Sequence, residues 1–242
     1  MNLTVVGCSP AWPNPGGAHS GYLVDGAGGV LLDCGPGVLG RLRIENEWPT
    51  VKAVVITHFH LDHWGDLVPW VWGALYLNGR KHALPRPQLW VPPSGRAQLE
   101  HFGSLLGFPD MFDRVFDVSE YEVQVPFAVE GYSVTAVRVP HYTLAAHALR
   151  VTDGDRLLAY SGDAGPGPEV VEAARDADLF LCEATLAHGD LDGQPRGHLS
   201  VDEAETAYAE SGARALLLTH RPAELSSPEG RQFAYDGLVV PV

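Results

Sequence analysis

Short apolar runs recur along the chain, and most of them stop abruptly at residues that can do chemistry. LTVVG (3–7), GYLVD (21–25), GGVLLDCG (28–35) and VKAVVIT (51–57) are rich in Val, Leu and Ile and are bounded by Gly, Pro or Asp. Their brevity and β-branched content predict buried strands. DGAGG (25–29) reads as the turn between the second and third strands, and SPAWPNPGGAHS (9–20) as a loop. PGVLGRLRIEN (36–46) predicts a helix with Pro36 near its first turn. LDHWGDLVPWVWGALYLNG (61–79) predicts helix for most of its length, kinked or restarted at Pro69. PQLWVPP (87–93) is a further strand, and SGRAQLEHFGSLLG (94–107) a helix with Ser94 as its cap.

In the middle third the pattern shifts to a period of two. RVFDV (114–118), YEVQVPFAVEGYSVTAVRV (121–139) and AHALRVTDGDRLLAYSGD (146–163) predict antiparallel strands, with DGD (153–155) as a tight turn. The last third alternates helix and strand: PEVVEAARDA (168–177), DLFLCEA (178–184), VDEAETAYAESG (201–212) and ARALLLTH (213–220). Ser200 and Glu203 have capping-box spacing, and Gly212 supplies the stop. No linker or low-complexity tract interrupts the 242 residues. The expected architecture is α+β, one domain over 1–242, with two sheets packed together and helices outside.

Composition narrows the classes of function. The chain is 45% hydrophobic and carries a formal charge of −14, from 16 basic and 30 acidic residues. That balance argues against broad nucleic-acid binding, which needs basic surface. Cys8, Cys34 and Cys182 form no C-x-x-C pair and read as reduced thiols of an intracellular protein. The N-terminus lacks the pattern of a secretion signal, and no apolar stretch reaches membrane-spanning length, so a cytoplasmic location is expected.

The strand VKAVVIT runs into His58-Phe59-His60-Leu61-Asp62-His63. His58 and His60 alternate along extended chain and so face one way. Asp62 and His63 follow the turn, at the start of the helix, and can point at a second position nearby. Imidazole nitrogens and carboxylate oxygens suit zinc and similar ions. Three further residues follow apolar strands in the same manner: His141 after VTAVRVP, Asp163 after RLLAYSG and His220 after ARALLLT.

This set, H-x-H-x-D-H followed by a lone His, SGD and LTH, resembles the metallo-β-lactamase superfamily of dinuclear metallohydrolases. LLDCGPG (31–37) is similar to that superfamily's D-x-G-x-G element. The resemblance covers essentially the whole chain and implies a four-layer αββα sandwich with the metals at one edge of two mixed sheets. It implies one metal on His58, His60 and His141, another on Asp62, His63 and His220, and Asp163 as the bridge. The metals expected are two divalent ions, zinc first, with Mn2+ or Fe2+ as alternatives. Asp33 is expected either to fix a ligand histidine from behind or to cap its own turn, and Gly35 and Gly37 to permit a tight backbone path.

An aspartate at the bridging position departs from the β-lactam-hydrolysing branches. CEATLAHGD…RGHLSVDEAETAYAESGARALLLTH resembles the ribonuclease Z branch, with Leu199 inserted between His198 and Ser200 and Cys182 in place of a histidine. His198 is the candidate for touching substrate, and Glu183 for orienting it. The interval between His141 and Asp163 is filled by two strands and a turn, which leaves no room for the basic arm that grips tRNA in that branch. The substrate expected is therefore a small anionic ester, a nucleotide-like one included, and tRNA is not expected.

Two ions would hold a bridging water and lower its pKa from about 15.7 toward neutrality, and Asp62 and His198 complete the catalytic set. A phosphodiesterase is the first reading; a lactone, thioester or other carbon-ester hydrolase on the same site is the alternative, then a non-catalytic metal-binding module, with iron-dependent oxidoreduction more remote. Trp64, Trp70 and Trp72 are either aromatic faces for a flat substrate group, core residues or, by family likeness, a homodimer surface. His147, His19, Asn14, Arg80 and Lys81 are further candidate contacts, and His82, His101 and His188 read as surface or loop residues.

Overall fold

The computed structural model describes residues 1–25, 29–44, 47–77 and 84–242. The first sheet takes seven strands: β1 (Asn2–Gly7), β2 (Gly21–Asp25), β3 (Val30–Leu32), β4 (Ala53–Val55), β5 (Gln88–Val91), β6 (Asp117–Glu120) and β13 (Val239–Pro241), in the order β13-β1-β2-β3-β4-β5-β6. The second takes six: β7 (Phe127–Val129), β8 (Tyr132–Val139), β9 (Ala146–Thr152), β10 (Leu157–Tyr160), β11 (Leu179–Glu183) and β12 (Leu216–Thr219), in the order β12-β11-β10-β9-β8-β7. Both sheets are mixed: β3 through β6 pair in parallel, as do β10 through β12, and the other pairs are antiparallel.

Alternation along the strands explains the layering. In β3, Val30 and Leu32 face the second sheet, while Leu31 faces helices; in and just after β4, Ala53 and Val55 point inward and Val54 and Ile56 outward. In β11, Leu179 and Leu181 meet the first sheet, and Phe180 and Cys182 meet the helices on the far side. Strands apolar on both faces must be covered on both faces. One side is covered by α1 (Val38–Leu42), α2 (Leu61–Trp64), α3 (Leu67–Leu77) and α4 (Gly95–Leu105) and the loops around them, the other by α5 (Pro168–Ala174) and α6 (Val201–Ser211). The result is the four-layer αββα sandwich. Cys8, Cys34 and Cys182 are buried free thiols, and no helix among the described residues is long and apolar enough to cross a membrane.

Several local expectations need correction. Ser94 precedes α4 but its hydroxyl makes no cap; it sits at φ 66, and the carboxylate of Glu120 takes the Ser94 and Arg96 amides at 3.1 and 3.0 Å instead. The helix expected over 36–46 covers only Val38–Leu42, its predicted end at Glu45 and Asn46 lying outside the described residues. The long helix breaks at Gly65–Asp66 rather than at Pro69, because Asp66 turns back to accept the Leu39 amide at 2.7 Å. Residues 121–126 form a turn instead of strand, and β6 joins the first sheet in parallel with β5. The strand β13 was not foreseen. The middle of the DGAGG turn lies outside the described residues.

The capping box at Ser200 and Glu203 is present in both directions, and Gly212 ends α6 at φ 75. Ser200→Ala is expected to lower stability by about 1 kcal/mol, read as a lower urea midpoint at unchanged m-value; an unchanged midpoint would show that the hydroxyl does not cap the helix.

Candidate metal centre

The candidate site residues lie at strand ends or on the turn and helix that follow β4, on the same edge of the sandwich. Asp33 follows β3, His58 follows β4, His141 follows β8, Asp163 follows β10 and His220 follows β12, while Glu183 ends β11. His60, Asp62 and His63 lie on the turn into α2 and within it. That turn is held close against the first sheet: a Cβ on Gly35 would stand 1.9 Å from the Asp62 carbonyl oxygen, so only glycine allows the approach.

The structure brings these side chains together in two overlapping groups. His58, His60, His141 and Asp163 form one, and Asp62, His63, Asp163 and His220 the other, with the donor atoms of each group all within 4.8 Å of one another. Asp163 belongs to both, and its two oxygens divide between them. Oδ1 lies 3.1 Å from His63 Nε2 and 3.5 Å from His220 Nε2; Oδ2 lies 3.8 Å from His58 Nε2 and 3.9 Å from His141 Nε2. Six of the seven side chains are buried, and His60 is the exposed one.

Hydrogen bonds behind the cluster fix which nitrogen each ring presents. Asp33, itself at φ 59, is fully buried and accepts from the Thr57 amide (2.8 Å), the Tyr160 hydroxyl (2.9 Å) and His63 Nδ1 (2.7 Å). The Thr57 hydroxyl also donates to Asp33, at 2.9 Å, so it can only accept from His58 Nδ1 at 3.0 Å. His141 Nδ1 donates to the Gly197 carbonyl at 2.6 Å. Thr185 donates to Glu183 at 2.7 Å and accepts from His220 Nδ1 at 2.9 Å. In all four rings Nδ1 carries the proton and Nε2 turns its lone pair inward, the arrangement that ligand histidines need. His60 instead offers Nδ1, 3.0 Å from His141 Nε2.

Three of these inward atoms, His58 Nε2, His63 Nε2 and Asp163 Oδ1, are buried without a hydrogen-bond partner. Native interiors seldom leave polar atoms so. The observation fits divalent cations, whose preferred donors are this mixture of imidazole and carboxylate. Charge acts in the same sense. Burial favours a neutral Asp163, but the electrostatic pull of His220 and His63 outweighs it and holds its carboxyl well below the usual range. His58 is pushed well below its ordinary value by burial and by His63 beside it.

A third group, Glu183, His198 and His220, is also within metal-binding distance. Glu183 has no oxygen to offer there: it accepts from the amides of Ala164, Thr185 and Leu199, from the Thr185 hydroxyl and from His198 Nδ1 at 2.9 Å. Its work is to hold His198. Burial lowers the His198 pKa, but the charge of Glu183 and its hydrogen bond overcome this and push it up to about 9. His198 Nε2 is left for whatever occupies the cavity of about 500 Å³ that His198 lines together with His60, Asp62, Asp163 and His220.

Other expected contacts lie elsewhere. His147 is buried and bonded through Nδ1 to the Thr57 carbonyl at 3.1 Å, beneath the site rather than in it. His19 bonds to the Pro10 carbonyl. Asn14 clamps two loops together through the Arg221 carbonyl and the Ala223 amide, at 3.0 and 2.8 Å. Trp64 and Trp70 are core, Trp72 packs edge-on against Phe108, and none of the three lines the cavity. Arg80, Lys81 and His82 lie outside the described residues, and His101 and His188 are exposed. Sequence reasoning missed the roles of Thr57, Thr185 and Tyr160, whose only signal is position: Thr57 and Tyr160 lie within three residues of a candidate ligand, and Thr185 two residues past Glu183.

With fold and site in view, the class is that of a two-sheet sandwich carrying a histidine and aspartate centre at one edge. A family profile described as "Beta-lactamase superfamily domain" matches residues 29–221. The chain belongs to that superfamily, on the metallo-hydrolase side that includes YhfI and ribonuclease Z. It is 30% identical over 226 residues to "Probable metallo-hydrolase YhfI" of Bacillus subtilis, covering 92% of this chain and 87% of that protein. It is 30% identical over 276 residues to ribonuclease Z of Myxococcus xanthus, covering 91% and 86%. The crystal structure of Bacillus subtilis YhfI superposes with a TM-score of 0.85 at 24% identity, over 99% of this chain and 98% of that one, which shows the shared fold.

The two threonine relays generate a prediction. Thr57→Val or Thr185→Val, which keep the shape but remove the hydroxyl, should weaken divalent-metal affinity about 10–100-fold in a chelator competition, while the serine variants retain it. Equal affinity in the valine variants would show that the hydroxyls do not set the rings.

Proposed function

We propose that the protein is a dinuclear metal-dependent phosphodiesterase. The observation that carries the reading is the division of Asp163, one oxygen toward each trio of donors. Zinc is the ion proposed first, with manganese or iron(II) as alternatives; His58, His60 and His141 would hold one ion, Asp62, His63 and His220 the other, and Asp163 both. When bound, the pair supplies Lewis acidity toward an ester oxygen and acidifies a water toward neutral pH.

The chain's own residues do the rest. Asp33, Thr57, Thr185 and the Gly197 carbonyl hold the ligand rings in register before substrate arrives, which is preorganisation. His198, kept protonated by Glu183, presents Nε2–H to the cavity and can give that proton to the departing oxygen. Asp62 Oδ2 lies 3.3 Å from His220 Nε2 and lines the same cavity, and it would act beside the reacting water. A phosphodiester suits such a centre because its one negative charge lies on the reacting group. Support for a small substrate rather than tRNA comes from the stretch between His141 and Asp163, which β9, β10 and their short turn occupy. The acidic net charge of −14 points the same way.

Protein purified without chelator and loaded with zinc or manganese is expected to hydrolyse bis(4-nitrophenyl) phosphate, with Asp163→Ala losing both metal and turnover. Turnover of lactones or thioesters and of no phosphodiester would replace this reading with carbon-ester hydrolysis. His198→Ala should lower kcat about 10²–10⁴-fold with metal content unchanged; an unchanged kcat would remove His198 from the reaction.

A further inference from the structure

The walls of the cavity differ in kind from its floor. Above His60, Asp62, Asp163, His198 and His220 the lining comes from four separate segments: Trp12, Tyr142, Leu186 and Leu191, and Pro222 with Leu225. Among the described residues no lysine or arginine lines it, and the one carboxylate in the walls is Glu224, which accepts from Trp12 Nε1 at 3.4 Å. Two arginines stand close in sequence but are committed elsewhere. Arg196 forms a two-pronged pair with Glu203 at 2.9 and 2.9 Å, and Arg221 gives its terminal nitrogens to the carbonyls of Ala184, Leu186 and Ser226.

These walls are held rather than loose. Asn14 ties the Trp12 loop to the 221–223 segment, and Arg221 ties that segment to residues 184–186. Tyr142 sits at φ 49, a costly backbone state for a tyrosine. Its ring lies against Gly197, where a Cβ would approach the ring to 2.3 Å, and its hydroxyl is bonded to Asp192, which also takes the Gly197 and His198 amides. Even so, Trp12, Tyr142 and Leu191 remain 48%, 41% and 66% exposed, large apolar surface around a polar floor. Apolar faces gathered at the mouth of a reactive centre mark what the site receives.

We propose that this cavity is a receptor for an uncharged aromatic or other apolar arm of the substrate, selected chiefly by Trp12 and Tyr142. The proposal rests on the phosphodiesterase reading and deepens it. A phosphodiester carries one charge, at the reacting phosphorus above the floor, and its two ester arms can be neutral. A second phosphate or a carboxylate on an arm would be drawn out of water into walls that, among the described residues, hold no lysine or arginine and one carboxylate. The substrate class is therefore a phosphodiester with at least one flat or apolar neutral arm; polyphosphates and oligonucleotide chains are excluded by the same walls.

The test is calorimetry on the metal-loaded full chain with diphenyl phosphate, dimethyl phosphate and bis(4-carboxyphenyl) phosphate, alongside turnover of bis(4-nitrophenyl) phosphate. Diphenyl phosphate should bind at least about tenfold tighter than dimethyl phosphate, and tighter than the dicarboxylate of the same ring system. Trp12→Ala should erase most of the preference and Trp12→Phe keep it; Trp12 is a half-exposed loop residue, so folding is not at stake. Leu191→Arg should invert the charge preference, raising affinity for the dicarboxylate about tenfold. Equal binding of diphenyl and dimethyl phosphate, a ratio untouched by Trp12→Ala, or tighter binding of the dicarboxylate by the unaltered protein would overturn the receptor while turnover of the nitrophenyl diester left the phosphodiesterase reading standing. Absence of turnover and binding for every phosphodiester would overturn both.

Discussion

The structure turns on one buried carboxylate. Asp163 lies where the donor side chains of four strand ends and one helical turn converge, and each of its oxygens faces a different set of imidazoles. A lone carboxylate in such a place would be driven toward neutrality. Instead the surrounding rings favour its charge, and they are themselves held by carboxylates one layer further back: Asp33 behind His63 and, through Thr57, behind His58; Glu183 behind His198 and, through Thr185, behind His220. The site is a nested arrangement of opposite charges, and removing any layer exposes the next to an unpaired burial.

The fold makes that nesting rigid. Two sheets whose strands are apolar on both faces cannot slide without exposing one face or the other, so their ends stay fixed relative to each other. The C-terminal ends of β3, β4, β8, β10, β11 and β12 lie at one edge, and each supplies its residue within a few positions of the last buried apolar side chain. Precision of this kind is what lets candidate ligands separated by more than 160 positions in the chain, from His58 to His220, meet within a few ångström.

Much of this was legible along the chain, and for a physical reason. H-x-H-x-D-H behind an apolar strand, and His141, Asp163 and His220 each ending another, are local statements about where strands stop. Glu183 and His198 were legible as a pair because one ends a strand and the other precedes a capped helix. What stayed hidden depends on three-dimensional proximity or backbone strain. Thr57 and Thr185 look like ordinary strand-end residues until their hydroxyls are seen between a carboxylate and a ring. Tyr142 gives no sign in sequence of its left-handed backbone. The tryptophans of α3 drew notice because they are periodic, yet that periodicity is what placed Trp70 in the core, while the cavity wall is made by Trp12 in a proline-rich loop with no period at all. Ser94 looked like a cap, but Glu120, far along the chain, reached its amide first.

The most direct measurement of the central claim is anomalous diffraction at the absorption edge of the bound metal, on crystals of the intact chain grown with zinc. Two peaks, one beside each oxygen of Asp163 and each surrounded by its own trio of side chains, are the result this account predicts. A single peak at saturating zinc, or two that both lie away from Asp163, would contradict it.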